Sequence, residues 1–203
     1  MKIAVFASGG GSNFQALIDS KKSGNLSAEF VLLITNNSNC GAVQKAKEAQ
    51  IPVLHISGKT HPDQNEFERT LLESLKNAGV ELIVLAGYMK KMPHATMSAY
   101  ENRILNIHPS LLPAFGGHGF YGLNVHQGVI DYGAKITGAT VHLVSGDYDT
   151  GAIIAQESLS VLESDTPESL QKRVLEIEHR LYPKVVQAFV SQKVTFNQHK
   201  VWI

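Results

Sequence analysis

Apolar positions along the chain fall into short runs that alternate with stretches of helical spacing. Residues 3–7 (Ile-Ala-Val-Phe-Ala) make a first strand-like run, followed by Ser8, Gly9, Gly10 and Gly11, then a helical pattern from Phe14 to about Ser20. Ser12 with Gln15 makes a capping-box pattern, which predicts a helix start at Ser12 or Asn13. Residues 30–35 read as a second strand, closed by the turn-rich Asn36-Asn37-Ser38-Asn39. A helix over 42–49 leads to a third strand at 52–56. His61-Pro62 opens a longer helix through Ala78, with Phe67, Leu71, Leu72 and Leu75 at helical spacing. Residues 82–86, Leu-Ile-Val-Leu-Ala, form a continuous buried-strand signal ended by Gly87. A short helix over 93–100 then precedes a further strand at 104–108. Strands separated by helices of this length predict βαβ units. The expected fold class is α/β, an open, mostly parallel twisted sheet with helices on both faces.

Beyond Pro113 the pattern changes. Gly116, Gly117, Gly119 and Gly122 surround Phe115, Phe120 and Tyr121, the composition of a functional loop. Asn124 is expected to cap a helix through Tyr132, and two strands follow at 137–144 and 153–159. Between them runs Ser145-Gly146-Asp147-Tyr148-Asp149-Thr150-Gly151. Thr166 as N-cap, Pro167 at the first helical position and Glu168 in the first turn predict a last helix reaching about Gln192. Its buried stripe is Leu170, Val174, Ile177, Leu181 and Val185. With no internal repeat or low-complexity stretch, residues 1–203 are expected to form a single domain.

Composition narrows the function classes. The 203 residues are 43% hydrophobic and carry zero formal net charge, enough for one sizeable core and without the basic footprint of a nucleic-acid or anionic-membrane partner. The single cysteine, Cys40, fits a reducing compartment. The N-terminal apolar run is too short for a signal-peptide core, and no run approaches bilayer length. A cytoplasmic globular protein is expected, monomeric or homodimeric.

Three features carry candidate chemistry. In Ile104-Leu105-Asn106-Ile107-His108-Pro109, Asn106 and His108 lie two residues apart, on one side of a strand that Pro109 stops. Ligands of open α/β sheets bind at the carboxyl ends of strands, and an amide N–H beside an imidazolium is what a developing oxyanion needs. The same residues also suit a satisfied core asparagine and a strand-end histidine that caps a loop. The glycine loop before Ser12 is the second feature, since backbone N–H groups at a helix N-terminus suit a phosphate. It is neither a dinucleotide fingerprint, because Phe14 replaces the third glycine, nor a P-loop. A small phosphomonoester is the better ligand, and a tight unliganded turn the alternative. Asp149 is the third, a carboxylate at another sheet edge that would raise the pKa of a neighbouring His108, or else a simple turn aspartate. His126 and His142 read as loop or sheet histidines. Ser110 lacks a nucleophile elbow, and no histidine or cysteine spacing matches a metal site.

Five blocks occur in order: Gly9-Gly10-Gly11-Ser12-Asn13, Leu85-Ala86-Gly87-Tyr88-Met89, Asn106-Ile107-His108-Pro109-Ser110-Leu111-Leu112-Pro113, Tyr148-Asp149-Thr150-Gly151 and Glu178-His179-Arg180-Leu181-Tyr182-Pro183. Together they resemble the phosphoribosylglycinamide formyltransferases, a folate-dependent family of purine synthesis, over essentially the whole chain. The resemblance implies a Rossmann-like formyltransferase fold. It also implies direct transfer of formyl from 10-formyltetrahydrofolate, the cosubstrate, to the amine of 5-phosphoribosylglycinamide, without a covalent enzyme intermediate or a metal. Carried over by position, Asn106, His108 and Asp149 are the catalytic residues. Gly11, Ser12 and Asn13 hold the substrate phosphate and Glu178 reaches the ribose. Gln64, Met89, Lys90, Lys91, Met92 and Asn106, with the backbone of 145–149, line the folate site. Three departures from the family pattern stand out: a longer loop at 116–125, Gln64 in place of a basic residue, and Leu175 in place of a polar one. The rival readings are a formyltetrahydrofolate hydrolase, expected to carry an extra N-terminal domain, and a methionyl-tRNA formyltransferase, expected to carry a C-terminal RNA-binding domain and a basic surface. A third is a non-catalytic phosphometabolite-binding module, which has no need of the catalytic trio.

Overall fold

The structure, a computed structural model, describes residues 1–198 and 200–203. Strands β1 (Lys2–Phe6), β2 (Glu29–Thr35), β3 (Val53–His55), β4 (Leu82–Leu85), β5 (Ile104–His108), β6 (Ile136–Leu143) and β7 (Ile153–Ser160) make one sheet in the order β3-β2-β1-β4-β5-β6-β7. The pairings β1–β2, β1–β4 and β2–β3 are parallel and β6–β7 is antiparallel, so the expected mostly parallel α/β sheet is present. Helices are α1 (Ser12–Lys22), α2 (Gly41–Glu48), α3 (Gln64–Asn77), α4 (His94–Ala99), α5 (Leu123–Tyr132) and α6 (Pro167–Val190). The chain clusters into two compact units, Met1–Leu105 and Asn106–Ile203.

In the first unit, β1 and β4 are apolar on both faces because parallel strands covered by crossover helices are buried on both sides. Ile3, Ala4, Val5 and Phe6 are wholly buried, as are Ile83 and Val84. Helix α1 buries Phe14, Leu17 and Ile18, the i, i+3, i+4 stripe of an amphipathic helix. It starts at Ser12, as expected, but without the expected capping box. The N-cap is Gly11 in a left-handed conformation (φ 72°), no side chain caps the helix, and Gln15 turns instead to Asp19 one turn on. Helix α3 begins later than His61-Pro62, because Asp63 accepts the N–H of Glu66 and sets the cap there.

In the second unit, α6 starts where its local chemistry places it. Thr166 and Ser169 form a reciprocal capping box with Pro167 behind it. All five expected stripe residues are buried, and the helix runs on through Pro183. Helix α5 packs on α6, and α6 on β6. Asn124 does not cap α5. Gly122 takes the N-cap position and the Asn124 amide reaches back to the Gly119 carbonyl. A hairpin of β8 (Thr195–Asn197) and β9 (Lys200–Trp202), with β9 against β7, ends the chain. These short strands had no signal in the hydrophobic pattern.

Candidate active site

Asn106 and His108 lie on β5, and the residues after that strand are pinned in place. Thr140 of β6 donates its hydroxyl to the Ser110 carbonyl (2.6 Å) and accepts the Leu112 N–H (3.0 Å). Gln156 of β7 donates to the Leu112 carbonyl at 2.9 Å. The Ser110 hydroxyl is spent on the Ala114 carbonyl at 2.6 Å, so it is a turn-former. With its continuation held at four points, the strand end cannot swing, and the two polar side chains have a fixed direction.

The structure brings Asn106, His108 and Asp149 together. The Asp149 carboxylate lies 3.5 Å from His108 Nδ1 and 3.5 Å from the Asn106 amide nitrogen, and it accepts the Gly117 N–H at 2.9 Å. Asp149 itself adopts a left-handed backbone (φ 58°), a conformation costly for a non-glycine residue and common where a site over-determines the chain. His108 Nε2 sits 2.8 Å from the Phe115 carbonyl. A carbonyl only accepts, so Nε2 carries a hydrogen, and a proton on Nδ1 would point at the carboxylate. Burial is the largest influence on His108 and lowers its pKa below the ordinary value. Asp149 and the Phe115 carbonyl raise it, and His142 lowers it further. The expected elevation by Asp149 is therefore present as one contribution but outweighed by burial. Burial also pushes the Asp149 carboxyl up. Its neighbours His142 and His108 and the Gly117 N–H together outweigh this and hold it below the usual range.

A fourth member was missed by sequence reasoning. His142, on β6 and only 2% exposed, lies 3.1 Å from the Asn106 amide nitrogen and 3.5 Å from Asp149. Its Nδ1 donates to the Leu143 carbonyl at 2.8 Å, which leaves Nε2 to accept from Asn106 and so orients the amide. The one sequence signal was Thr140 and His142, polar residues alternating in the second half of a strand that also carries Thr137.

His126, on α5, is buried against the same region, with no hydrogen-bond partner for Nδ1 among the described residues. Burial, then the charge of His108, lowers its pKa from 6.5 to about 4. Below pH 6.5 the unfolded chain takes a proton that the folded chain refuses, so stability falls as pH drops from 6.5 toward 4. The loss amounts to about 3 kcal/mol over the window and about 2 by pH 5. His126→Leu is expected to flatten this slope in urea titrations at pH 7 and pH 5. Equal slopes in both proteins would refute the assignment.

The first unit carries the glycine loop. Ser8 ties the strand ends together: its hydroxyl accepts the Met89 N–H (2.9 Å) and donates to Asn36 (2.5 Å), while its own N–H reaches the Gly87 carbonyl (3.0 Å). Gly11 follows, and the first-turn N–H groups of α1 have no acceptors within the helix. Ser12 is exposed and Asn13 buried. A Cβ on Gly11 would lie 2.9 Å from Cα and Cβ of Ala42, so this glycine is demanded by the packing of α1 on α2 as well as by its φ. Met89 is exposed (55%), Lys90 and Lys91 are exposed, and Met92 is in the core (3%). Gln64 is the exposed first residue of α3, its amide bonded to Glu68. In the second unit Glu178 is buried on α6 and Leu175 half-buried.

Residues 1–186 match the family model described as formyl transferase. The chain belongs to the formyl transferase family. This formyl transferase is 44% identical over 201 residues to the protein named phosphoribosylglycinamide formyltransferase, chloroplastic, of Arabidopsis thaliana, with 98% of this chain and 69% of that one covered. It is 43% identical over 200 residues to the protein of that name from Vigna unguiculata, with 98% and 64% covered, so it spans about two thirds of the length of these plant relatives. Among solved structures, glycinamide ribonucleotide transformylase 1 from Symbiobacterium toebii matches this formyl transferase with a TM-score of 0.92 at 36% identity, covering 99% of this chain and 92% of that one. Among the described residues no helix is long and apolar enough to cross a membrane.

Proposed function

We propose that this formyl transferase moves the formyl group of 10-formyltetrahydrofolate directly to the amine of 5-phosphoribosylglycinamide, acting as a single formyltransferase domain in the cytoplasm. The observation that carries the reading is the convergence of Asn106, His108 and Asp149 at the end of β5. The relatives' names support formyl transfer to phosphoribosylglycinamide. The amine nitrogen attacks the formyl carbon, a C–N bond forms, and the carbonyl electron pair moves onto oxygen. The Asn106 amide and a ring N–H of His108 take that oxyanion. Both contacts to Asp149, at 3.5 Å, are long enough for an arriving oxygen to compete. As the intermediate collapses, the bond to the folate nitrogen breaks, and the proton lost by the amine ends on that nitrogen with His108 as carrier. Burial makes the protonated ring of His108 a ready acid, while Asp149 and the developing oxyanion favour that protonated form.

In the same reading, the backbone of Gly11, Ser12 and Asn13 holds the substrate phosphate and Glu178 the ribose, while Gln64 and the segment Met89, Lys90, Lys91 and Met92 serve the folate. No metal takes part. The deciding assay supplies 10-formyltetrahydrofolate with and without the amine. Formylated product only with both substrates supports the transferase, and equal folate consumption without the amine supports the hydrolase.

Gly11→Val is a poor probe of the phosphate cradle, since a side chain there collides with Ala42. Ser12→Asp is better. An acidic residue in a first helical turn favours the helix, so a loss of affinity is not misfolding. The Michaelis constant for glycinamide ribonucleotide is expected to rise about 10-fold, roughly 1.4 kcal/mol, with folate binding unchanged. An unchanged constant places the phosphate elsewhere.

A further inference from the structure

We propose that an aromatic clip on the 115–120 segment, formed by Phe120 and Tyr132 around Phe115, is a positioning device that sets the tautomer of His108 and the orientation of Asp149. The inference rests on the reading of His108 as the proton carrier. Phe115 has a left-handed backbone (φ 53°), which aims its carbonyl at His108 Nε2, 2.8 Å away. Two residues on, the Gly117 N–H holds the Asp149 carboxylate at 2.9 Å. One short turn thus grips both partners of the pair, the imidazole by an acceptor and the carboxylate by a donor. Gly116 lets this turn lie against its neighbours: a Cβ there would sit 2.5 Å from Leu112 and 3.3 Å from Asp149.

An isolated left-handed phenylalanine would relax to a commoner conformation, and the clip is what opposes this. The Phe115 ring meets Phe120 edge-on at 6.2 Å and Tyr132 edge-on at 5.8 Å, the second contact anchoring it to the end of α5. Gly128, one turn earlier on α5, makes room for the clip, because a Cβ there would lie 2.8 Å from the Phe120 ring. With the Phe115 carbonyl in place, Nε2 keeps its hydrogen and Nδ1 is the position that gains and loses a proton beside Asp149. Without it, the neutral ring is free to put its hydrogen on Nδ1 toward the carboxylate, and the group is no longer poised to carry a proton. Phe120, Tyr132 and Gly128 therefore govern turnover without touching substrate.

The test uses full-length protein labelled with nitrogen-15 in histidine, with the His108 ring signals assigned by subtraction of a His108→Asn spectrum. Wild type is expected to hold the Nε2–H tautomer at high pH. Phe120→Ala and Gly128→Ala are expected to yield a mixture of tautomers and about a 10-fold or greater fall in turnover, with Michaelis constants within about threefold. Gly128→Ala guards against misfolding, because alanine favours the α5 helix while displacing the Phe120 ring. Tyr132→Phe, which keeps the ring, is expected to keep the tautomer. The proposal is overturned if both clip variants retain a pure Nε2–H ring, or if turnover falls while the tautomer stays put. The ring spectrum needs no substrate, so failure here is distinguishable from failure of the transferase reading.

Discussion

Alanine at Asn106 or His108 is expected to lower turnover by about 100- to 1000-fold, the usual cost of removing one preorganised oxyanion donor, equivalent to roughly 2.7–4 kcal/mol. The magnitude follows from where the groups sit. His108 is only 4% exposed, and the Asn106 amide is aimed by His142 at 3.1 Å, so water cannot substitute cheaply for either donor. Because the oxyanion exists only after attack, the loss belongs to turnover, with Michaelis constants for both substrates nearly unchanged. The double variant is expected to be far less than multiplicatively worse, since both donors serve one oxygen. Steady-state kinetics of the three variants, with a melting curve for each, measures this. Folded variants with turnover within threefold of wild type would remove the pair from the chemistry.

The parts of the molecule legible in the sequence are those whose causes are local. Thr166-Pro167-Glu168 announces the start of α6 because cap, first-turn proline and macrodipole all act within four residues. The buried runs of β1 and β4 are read from their composition because burial on both faces leaves no alternation to misjudge. The cap of α1 illustrates the opposite. Ser12 and Gln15 offer a good local cap, yet Gly11 takes the position because α2, some thirty residues later, brings Ala42 against it. Asn124 fails as a cap for a similar reason, since the glycines before it let the chain turn without one. Asn106 and His108 were readable as a pair because they share a strand, whereas Asp149, inside the loop between β6 and β7, reads equally as a turn aspartate and joins them only through the family resemblance. His142 was not readable as their partner. Its part depends on the register of β6 beside β5 and on a ring nitrogen fixed by its neighbour's carbonyl, neither of which leaves a mark in composition or spacing. The expected upward push of Asp149 on His108 is present, but its being outweighed was not legible, because the carboxylate is visible in sequence and the depth of burial is not.

Asp149→Asn is expected to be as damaging as loss of a donor, about 100- to 1000-fold, and to move the pH optimum downward. The carboxylate accepts from Gly117 and faces His108, His142 and Asn106 within 3.5 Å. An asparagine must keep its oxygen toward the Gly117 N–H. Its amide nitrogen then takes the other position, donor against donor with Asn106, so the amide meant for the oxyanion is pushed aside. The substitution also deletes a negative charge that raises the His108 pKa against burial, so that pKa falls further. A proton donor must be protonated to act, and the limb on which activity declines with rising pH therefore shifts to lower pH. His142→Ala separates the two effects, because it removes the anchor of Asn106 and keeps the carboxylate. A fall of about 10- to 100-fold is expected there, the worth of one buried hydrogen bond at about 1.5–3 kcal/mol, and the rising-pH limb should not move downward. Rate profiles that shift downward equally in both variants would mean that the shift does not report the Asp149 charge alone and that His142 is needed for its effect on His108. A full-rate Asp149→Asn enzyme would reduce Asp149 to a turn residue, the role its glycine-rich loop already suits.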